Sequence, residues 1–504
     1  MTMPGPATDG SSVNGQSVEA VSVERHDVLR QAAEGHGNGR LSFPPGFIWG
    51  SASAAYQIEG ATTADGRGVS VWDTFSHAPG NVRGGDTGDI ACDSYHRFRE
   101  DVALMASLGL NAYRFSVSWP RVQPGGSGVA NQKGLDYYRQ LVDELEEHGI
   151  AAALTLYHWD LPQELQDQGG WASRDTALRF ADYASLVAGA LGDRVRQWIT
   201  LNEPQVVASH GYRSGEHAPG LHDPAAATAA THNLLVAHGL ATSAIRAAVP
   251  GAKVGITLDL HPIKLLGEAR PDALHQAALI ADADLNGLYL EPVLHGRYPE
   301  HASKELLPPD SLIQADDMAT ISQPIDFLGV NYYSSAYLRA GDPEDLRAGE
   351  SKTRFGVPGV VEYSPDWLER TAMGWLVDAD GLHELLVRLS KETAGMPLYI
   401  TENGCAAEDY VNPEGLVNDT ERVRYLHEHL AAAARAIDDG VNLAGYYVWS
   451  LLDNFEWGWG YQKRFGIIFV DYGTQHRIPK SSAHFYSDVV RANAVPALQG
   501  QAAR

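Results

Sequence analysis

Glutamate stands at two places in this 504-residue chain where paired chemistry is possible: Glu203 in Asn202-Glu203-Pro204, and Glu402 in Glu402-Asn403-Gly404. Each sits at the end of a short apolar run, Gln197–Leu201 and Leu398–Thr401. Other apolar runs deliver polar or indole side chains at the same point. Gln57 and Glu59 follow the first run and Arg114 lies in the second; His158-Trp159-Asp160 end the third. Asn331-Tyr332-Tyr333 end the sixth, and the eighth runs into Trp449 and then Glu456-Trp457. Amides, imidazoles and carboxylates hydrogen-bond to hydroxyls, and an indole face stacks on the apolar side of a pyranose ring. Two carboxylates on different strands suit glycosidic bond cleavage, which needs a proton donor to the leaving oxygen and a second carboxylate at the anomeric carbon. One such glutamate alone would read as a solvated charge; the convergence carries the argument.

These side chains need a scaffold that brings distant segments to one rim. The runs read as strands are Phe47–Ala52, Asn111–Val117, Ala151–Leu156, Gln197–Leu201, Lys253–Leu258, Phe327–Asn331, Leu398–Thr401 and Leu443–Val448. Between them lie helical patterns such as Gly134–His148, Asp175–Gly192 and Asp419–Gly440, the last with Asp419 as its cap and Gly440 at its end. Eight strand–helix units in series predict an α/β fold, a single (β/α)8 TIM barrel with extended loops at the C-terminal face, where such barrels build their sites. A doubly wound open sheet is the competitor. It calls for a Gly-rich phosphate loop, and the stretch after the first strand, Ser51-Ala52-Ser53-Ala54-Ala55-Tyr56-Gln57, is not one. The long connection between the fifth and sixth strands is expected to fold over the barrel mouth as loops and small helices. Residues 1–40, rich in Gly, Ser, Asn and Gln, read as a disordered arm; 41–495 form the barrel domain and 496–504 a tail.

Composition narrows the function classes. Hydrophobic residues make up 44%, enough for a large core, and the formal net charge is −25. Phosphate backbones and anionic headgroups would repel such a chain, so neither nucleic acid nor membrane is an expected partner. Cys92 and Cys405 cannot build a disulfide framework or a four-thiolate zinc site. No apolar run approaches a membrane span, and no secretory signal is visible, so the expected location is cytoplasmic.

The motifs together resemble glycoside hydrolase family 1, the β-glucosidase family, from about Leu41 to Val490. Phe47-Ile48-Trp49-Gly50-Ser51-Ala52-Ser53-Ala54-Ala55-Tyr56-Gln57-Ile58-Glu59-Gly60 resembles its first signature, Tyr399-Ile400-Thr401-Glu402-Asn403-Gly404 its nucleophile signature, and Thr200-Leu201-Asn202-Glu203-Pro204 its acid/base segment. The resemblance implies that Glu203 is the general acid/base and Glu402 the nucleophile. It implies that Asn202 binds the sugar 2-hydroxyl, that Gln57, His158, Glu456 and Trp457 hold the 3-, 4- and 6-hydroxyls, and that Trp449 is the stacking floor. Trp159 belongs to the same binding set. Tyr333 and Arg114 would hold Glu402, with Asn331 in the same shell, and Trp375 would line the leaving-group site. Retention with this pair needs carboxyl groups about 5–5.5 Å apart. The implied partner is a small β-glucoside or oligosaccharide; no cofactor and no metal is implied. Oligomeric state stays open between monomer and homo-oligomer.

Other readings compete. His158, Glu203 and Glu402 could hold a metal, but their Asn and Trp neighbours are poor ligands and no H-E-x-x-H motif occurs. A 6-phospho-β-glycosidase is disfavoured because Glu456 would repel the phosphate. A sugar-binding pseudoenzyme would lack one of the two carboxylates. A transglycosylase, using the same intermediate with an alcohol acceptor, is not separable here. Glu59 is expected to be structural, Cys405 a buried small apolar residue, and Trp459 a core or loop-packing aromatic. His427 and His429, two apart on a helix, are expected to be a solvated surface pair, and Lys480 a solvated charge.

Overall fold

The computed structural model describes residues 41–267, 272–353 and 355–496. The expected N-terminal arm and all but the first residue of the tail lie outside the described residues. The eight expected strands form, with ends shifted by at most two residues, as β1 (Ile48–Ala52), β2 (Ala112–Ser116), β3 (Ala151–Tyr157), β4 (Gln197–Asn202), β5 (Lys253–Asp259), β6 (Phe327–Asn331), β7 (Leu398–Asn403) and β8 (Leu443–Trp449). All pair in parallel with their sequence neighbours, and β8 closes on β1 to complete the barrel. A parallel barrel buries its strands on both faces, which is why the runs read as continuously apolar; every residue of β2 and β6 is buried.

The outer layer includes α1 (Ser94–Leu108), α2 (Gln132–Glu147), α3 (Arg174–Leu191), α4 (Pro224–Ala248), α5 (Ala379–Glu392), α6 (Thr420–Asp438) and α7 (Ser481–Ala492). In α2 the apolar stripe Leu135, Tyr138, Leu141, Val142 and Leu145 recurs every three or four residues and is buried against the barrel. Leu41–Ser42 pairs antiparallel with Ala494–Val495, so the two ends of the described chain meet.

The β5–β6 connection departs from expectation. Besides the short helices Asp272–Asp282, Leu288–His295 and Asp317–Ile321, it contains a strand, Ile263–Leu266. This strand joins Ala336–Ala340, Val360–Tyr363 and Glu350–Lys352 from the β6–β7 connection in a four-stranded sheet. The reason is a satellite core: Leu274, Ala277, Ala281, Leu338, Phe355 and Val360 pack together, and Ile263 and Leu265 close over them.

Three local expectations are corrected. Asp419 precedes α6 but does not cap it; its carboxylate bonds Arg422 and the Ser482 backbone N–H and hydroxyl at the start of α7. His429 is buried, stacked 3.9 Å from Tyr425 with Nδ1 against the Tyr425 carbonyl, while His427 lies on a different face near Phe485. Lys480 is fully buried, its Nζ 2.6 Å from both Asp409 Oδ2 and Asp453 Oδ1. Arg422 also pairs with Asp409 and Arg464 with Asp453, so one ionic network ties the loops after β7 and β8 to α6 and α7. Removing one member of a buried ionic set strands the others without solvent. Lys480→Met is therefore expected to destabilise the fold by about 3–5 kcal/mol, read as a lowered urea midpoint. An unchanged midpoint would refute the structural importance of the pair.

Candidate active site

Most residues implied for the site lie at or just past the C-terminal ends of the barrel strands; Arg114 comes from the middle of β2 and Trp375 from the β6–β7 connection. Glu402 is nearly at the end of β7 and 3% exposed. Arg114, from β2, donates through Nη1 to Glu402 Oε1 at 2.6 Å, and the Tyr333 hydroxyl donates to Oε2 at 2.7 Å. Both oxygens are thus fixed, leaving lone pairs for attack. Glu203 follows β4 in a left-handed conformation, φ 46°, uncommon for a non-glycine residue. That turn, anchored by the Glu203 N–H to the Thr257 carbonyl at 3.0 Å, swings the carboxyl over the barrel before Pro204 opens a short helix.

Amides lock the pair together. Asn331 Nδ2, at the end of β6, donates to Glu203 Oε1 at 2.6 Å and to Asn202 Oδ1 at 3.2 Å. Arg114 Nη2 donates to the same Asn202 oxygen at 2.5 Å. Asn202 Nδ2 lies 3.1 Å from His158 Nε2, and the Trp159 indole N–H donates to the Asn202 carbonyl at 2.9 Å. The indole N–H of Trp159 is therefore committed to holding β4, and its ring packs 4.5 Å from Trp457.

Electrostatics separates the two carboxyls. Burial raises Glu402, opposed by Arg114 charge and by hydrogen bonds from Tyr333, Arg114 and Asn331. Burial, then the Glu402 charge, then Asp259 push Glu203 well above the usual carboxylate range. These shifts favour a shared proton on Glu203 over Glu402. Burial, with Arg114 nearby, drives His158 well below its ordinary range, so the ring is neutral and its Nδ1 has no protein partner. Burial keeps the Tyr333 phenol protonated, as a donor must be.

On the opposite side of the mouth, Gln57 Nε2 donates to Asn454 Oδ1 at 3.0 Å and the Phe455 carbonyl at 2.9 Å. Its Oε1 is buried without a hydrogen-bond partner. Burial and then the Glu402 charge push Glu456 up to about 8. Trp449 stacks 5.8 Å from His158, and Trp457, buried between Trp72, Trp159 and Tyr56, completes an aromatic wall. Trp375 is half-buried, 5.3 Å from Tyr333. No group of three His, Cys, Asp or Glu arranged to hold a metal occurs among the described residues.

The remaining side chains sort as follows. Glu59 is buried and paired with Arg121 at 2.8 Å, and it accepts from Tyr138 on α2. Cys405 is buried, its thiol pushed up to about 12, and Trp459 lies under the Arg83 guanidinium. Sequence reasoning did not reach Asp259, at the end of β5, although the strand-end rule that found the other residues points to it. Nor did it reach His217, whose ring packs 5.4 Å from Trp72 and 5.5 Å from Trp159.

A closed parallel barrel whose rim brings two buried glutamates together among amides and indoles is the frame of a glycoside hydrolase. The chain matches glycosyl hydrolase family 1 over residues 40–495 and belongs to that family. It is 50% identical to a thermostable beta-glucosidase B of Thermobispora bispora, covering 95% of this chain and 96% of the relative. It is 47% identical to a bifunctional beta-D-glucosidase/beta-D-fucosidase of Bifidobacterium breve, covering 88% and 97%. A solved beta-glucosidase from Thermotoga maritima in complex with deoxynojirimycin superposes with a TM-score of 0.82 at 46% identity, covering 90% of this chain and 99% of that one.

Proposed function

We propose that the chain is a retaining exo-β-glucosidase that removes terminal non-reducing β-D-glucosyl residues from cellobiose, short β-glucans and aryl β-glucosides. The observation that carries this reading is the grip on Glu402: Arg114 and Tyr333 take one oxygen each while Asn331 bridges toward Glu203. In the first step a Glu402 oxygen bonds to the anomeric carbon, the glycosidic C–O bond breaks, and Glu203 gives its proton to the departing oxygen. The ester carries no charge, so Glu203 loses part of what held its own proton and becomes a base. Water then attacks the anomeric carbon, Glu203 takes its proton, and the bond to Glu402 breaks with the electron pair returning to the carboxylate. The activities for which the Thermobispora and Bifidobacterium relatives are named support the glucoside reading, and the second supports a β-fucoside side activity. Gln57 and Glu456 belong to the same reading as contacts to the glycone hydroxyls, with β-galactoside cleavage and transfer to alcohols as further side reactions.

The test is hydrolysis of p-nitrophenyl β-D-glucoside with the released glucose followed by NMR, beside the galactoside, fucoside and 6-phosphate. β-Glucose is expected first. The α-anomer first would replace retention by inversion, and binding without cleavage of any β-glycoside would make the chain a sugar-binding protein.

A further inference from the structure

Asp259 ends β5 and has no part in the chemical steps proposed above. Thr257, two residues earlier, donates through Oγ1 to Thr401 Oγ1 inside the barrel at 3.3 Å. Side chains two apart on a strand share a face, so Asp259 projects from the same inward face about 6–7 Å further toward the mouth. Its register partner on β6 is Asn331, the residue whose amide holds Glu203. From the other neighbouring strand end, Gln205, two residues past Glu203, donates to the Asp259 carbonyl at 2.7 Å. The segment carrying Glu203 and the end of β5 are thus clamped together on both sides of the acid/base.

The Asp259 side chain is held in turn. Its Oδ2 lies 2.9 Å from His261 Nε2, and the His261 backbone N–H donates to Asn286 Oδ1 at 2.8 Å. Asn286 itself bonds Asp282, which pairs with Arg388. The second oxygen, Oδ1, is buried without a hydrogen-bond partner. A sheltered carboxylate oxygen beside another carboxyl acts on it through a medium of low dielectric, where charge is felt strongly. The charged or titratable groups that act on Glu203 are Glu402 from β7, Asp259 from β5, Arg114 from β2 and Tyr333 from the loop after β6, and His261 faces Asp259 itself. Glu402 and Asp259 favour the proton on Glu203; Arg114 opposes it.

Their order in time makes the difference. In the first half-reaction Glu402 is charged and supplies the larger push. Once Glu402 is an ester, that charge is gone, and Asp259 is the carboxylate that remains. We propose that Asp259 is a positioning residue acting through Glu203: its carboxylate keeps Glu203 able to take a proton from water after Glu402 has become an ester. The proposal rests on the acid/base and nucleophile roles given to Glu203 and Glu402 above.

The experiment uses the full chain with Asp259→Asn and Asp259→Ser, two variants that remove the charge, and Asp259→Glu, which keeps it. All are checked for a wild-type circular dichroism spectrum, so that the test does not hang on one of them folding. The alkaline limb of kcat/KM for p-nitrophenyl β-glucoside is expected to move to lower pH by about one unit in the charge-removing variants. With 2,4-dinitrophenyl β-glucoside, whose activated leaving group makes the second step limiting, kcat at neutral pH is expected to fall about threefold to tenfold. Asp259→Glu is expected to restore both. Folded charge-removing variants with the wild-type limb and kcat would overturn the proposal. Azide rescue of Glu203→Ala separates the two levels: without rescue the assignment of Glu203 falls and Asp259 with it. With rescue and an unmoved limb, only the role of Asp259 falls.

Discussion

Glu402→Gln is expected to leave a folded barrel that hydrolyses p-nitrophenyl β-glucoside on the order of 10⁵-fold more slowly than the wild-type chain. The substitution keeps the size and planarity of the side chain but removes the nucleophile. An amide oxygen at Oε1 can still accept from Arg114, and Arg114 keeps its bonds to Asn202 Oδ1 and the Thr401 carbonyl, so the guanidinium is not stranded. The loss therefore falls on chemistry and not on folding. A second signature follows from the electrostatics. With the Glu402 charge gone, one of the two neighbouring charges that raise Glu203 disappears, and Glu203 must titrate at lower pH in the variant. Activity, the dichroism spectrum and a ¹³C titration of labelled glutamate check the three parts. Residual activity above about one per cent would remove Glu402 from the role of nucleophile.

Much of this architecture is legible in the sequence because local pattern and global fold agree. The parallel barrel buries each strand on both faces, so an apolar run such as Phe327–Asn331 is both the expected and the observed strand. The site follows from the same reading, since strand ends face one rim, and Gln57, His158, Asn202, Glu203, Asn331, Glu402 and Trp449 all stand there. What stays hidden is pairing across distance. Lys480 looks the same whether it meets solvent or two aspartates, because Asp409 and Asp453 lie 71 and 27 residues away along the chain. Asp419 reads as a helix cap for the helix that follows it, yet Arg422 and Ser482 claim its oxygens. Ile263–Leu266 is too short to announce itself, and its partner Ala336–Ala340 arrives only after β6. Asp259 was within reach of the strand-end rule, but its meaning depends on Asn331 and Gln205, which only the fold brings beside it.

Glu203→Ala is expected to divide substrates by their need for a proton. The leaving group of cellobiose is its second glucose, a poorly stabilised alkoxide unless protonated, so losing the acid is expected to slow cellobiose hydrolysis by about 10⁴-fold. A dinitrophenolate leaves unaided; the first step with that glucoside proceeds, because Glu402 and its donors Arg114 and Tyr333 are untouched. The second step lacks a base to activate water, so the glycosyl-enzyme accumulates and turnover stalls after a burst. Azide needs no proton removed. In the space left by the missing carboxyl it is expected to raise turnover about tenfold or more, giving a β-glucosyl azide, because Glu402 still blocks the opposite face. The freed Asn331 amide loses its 2.6 Å partner but keeps Asn202, so the site does not collapse. Burst amplitude, azide dependence and the anomer of the azide product check these steps separately. An α-azide would place direct displacement at the anomeric carbon. Equal losses for cellobiose and the dinitrophenyl glucoside would show that Glu203 does not act by giving up a proton.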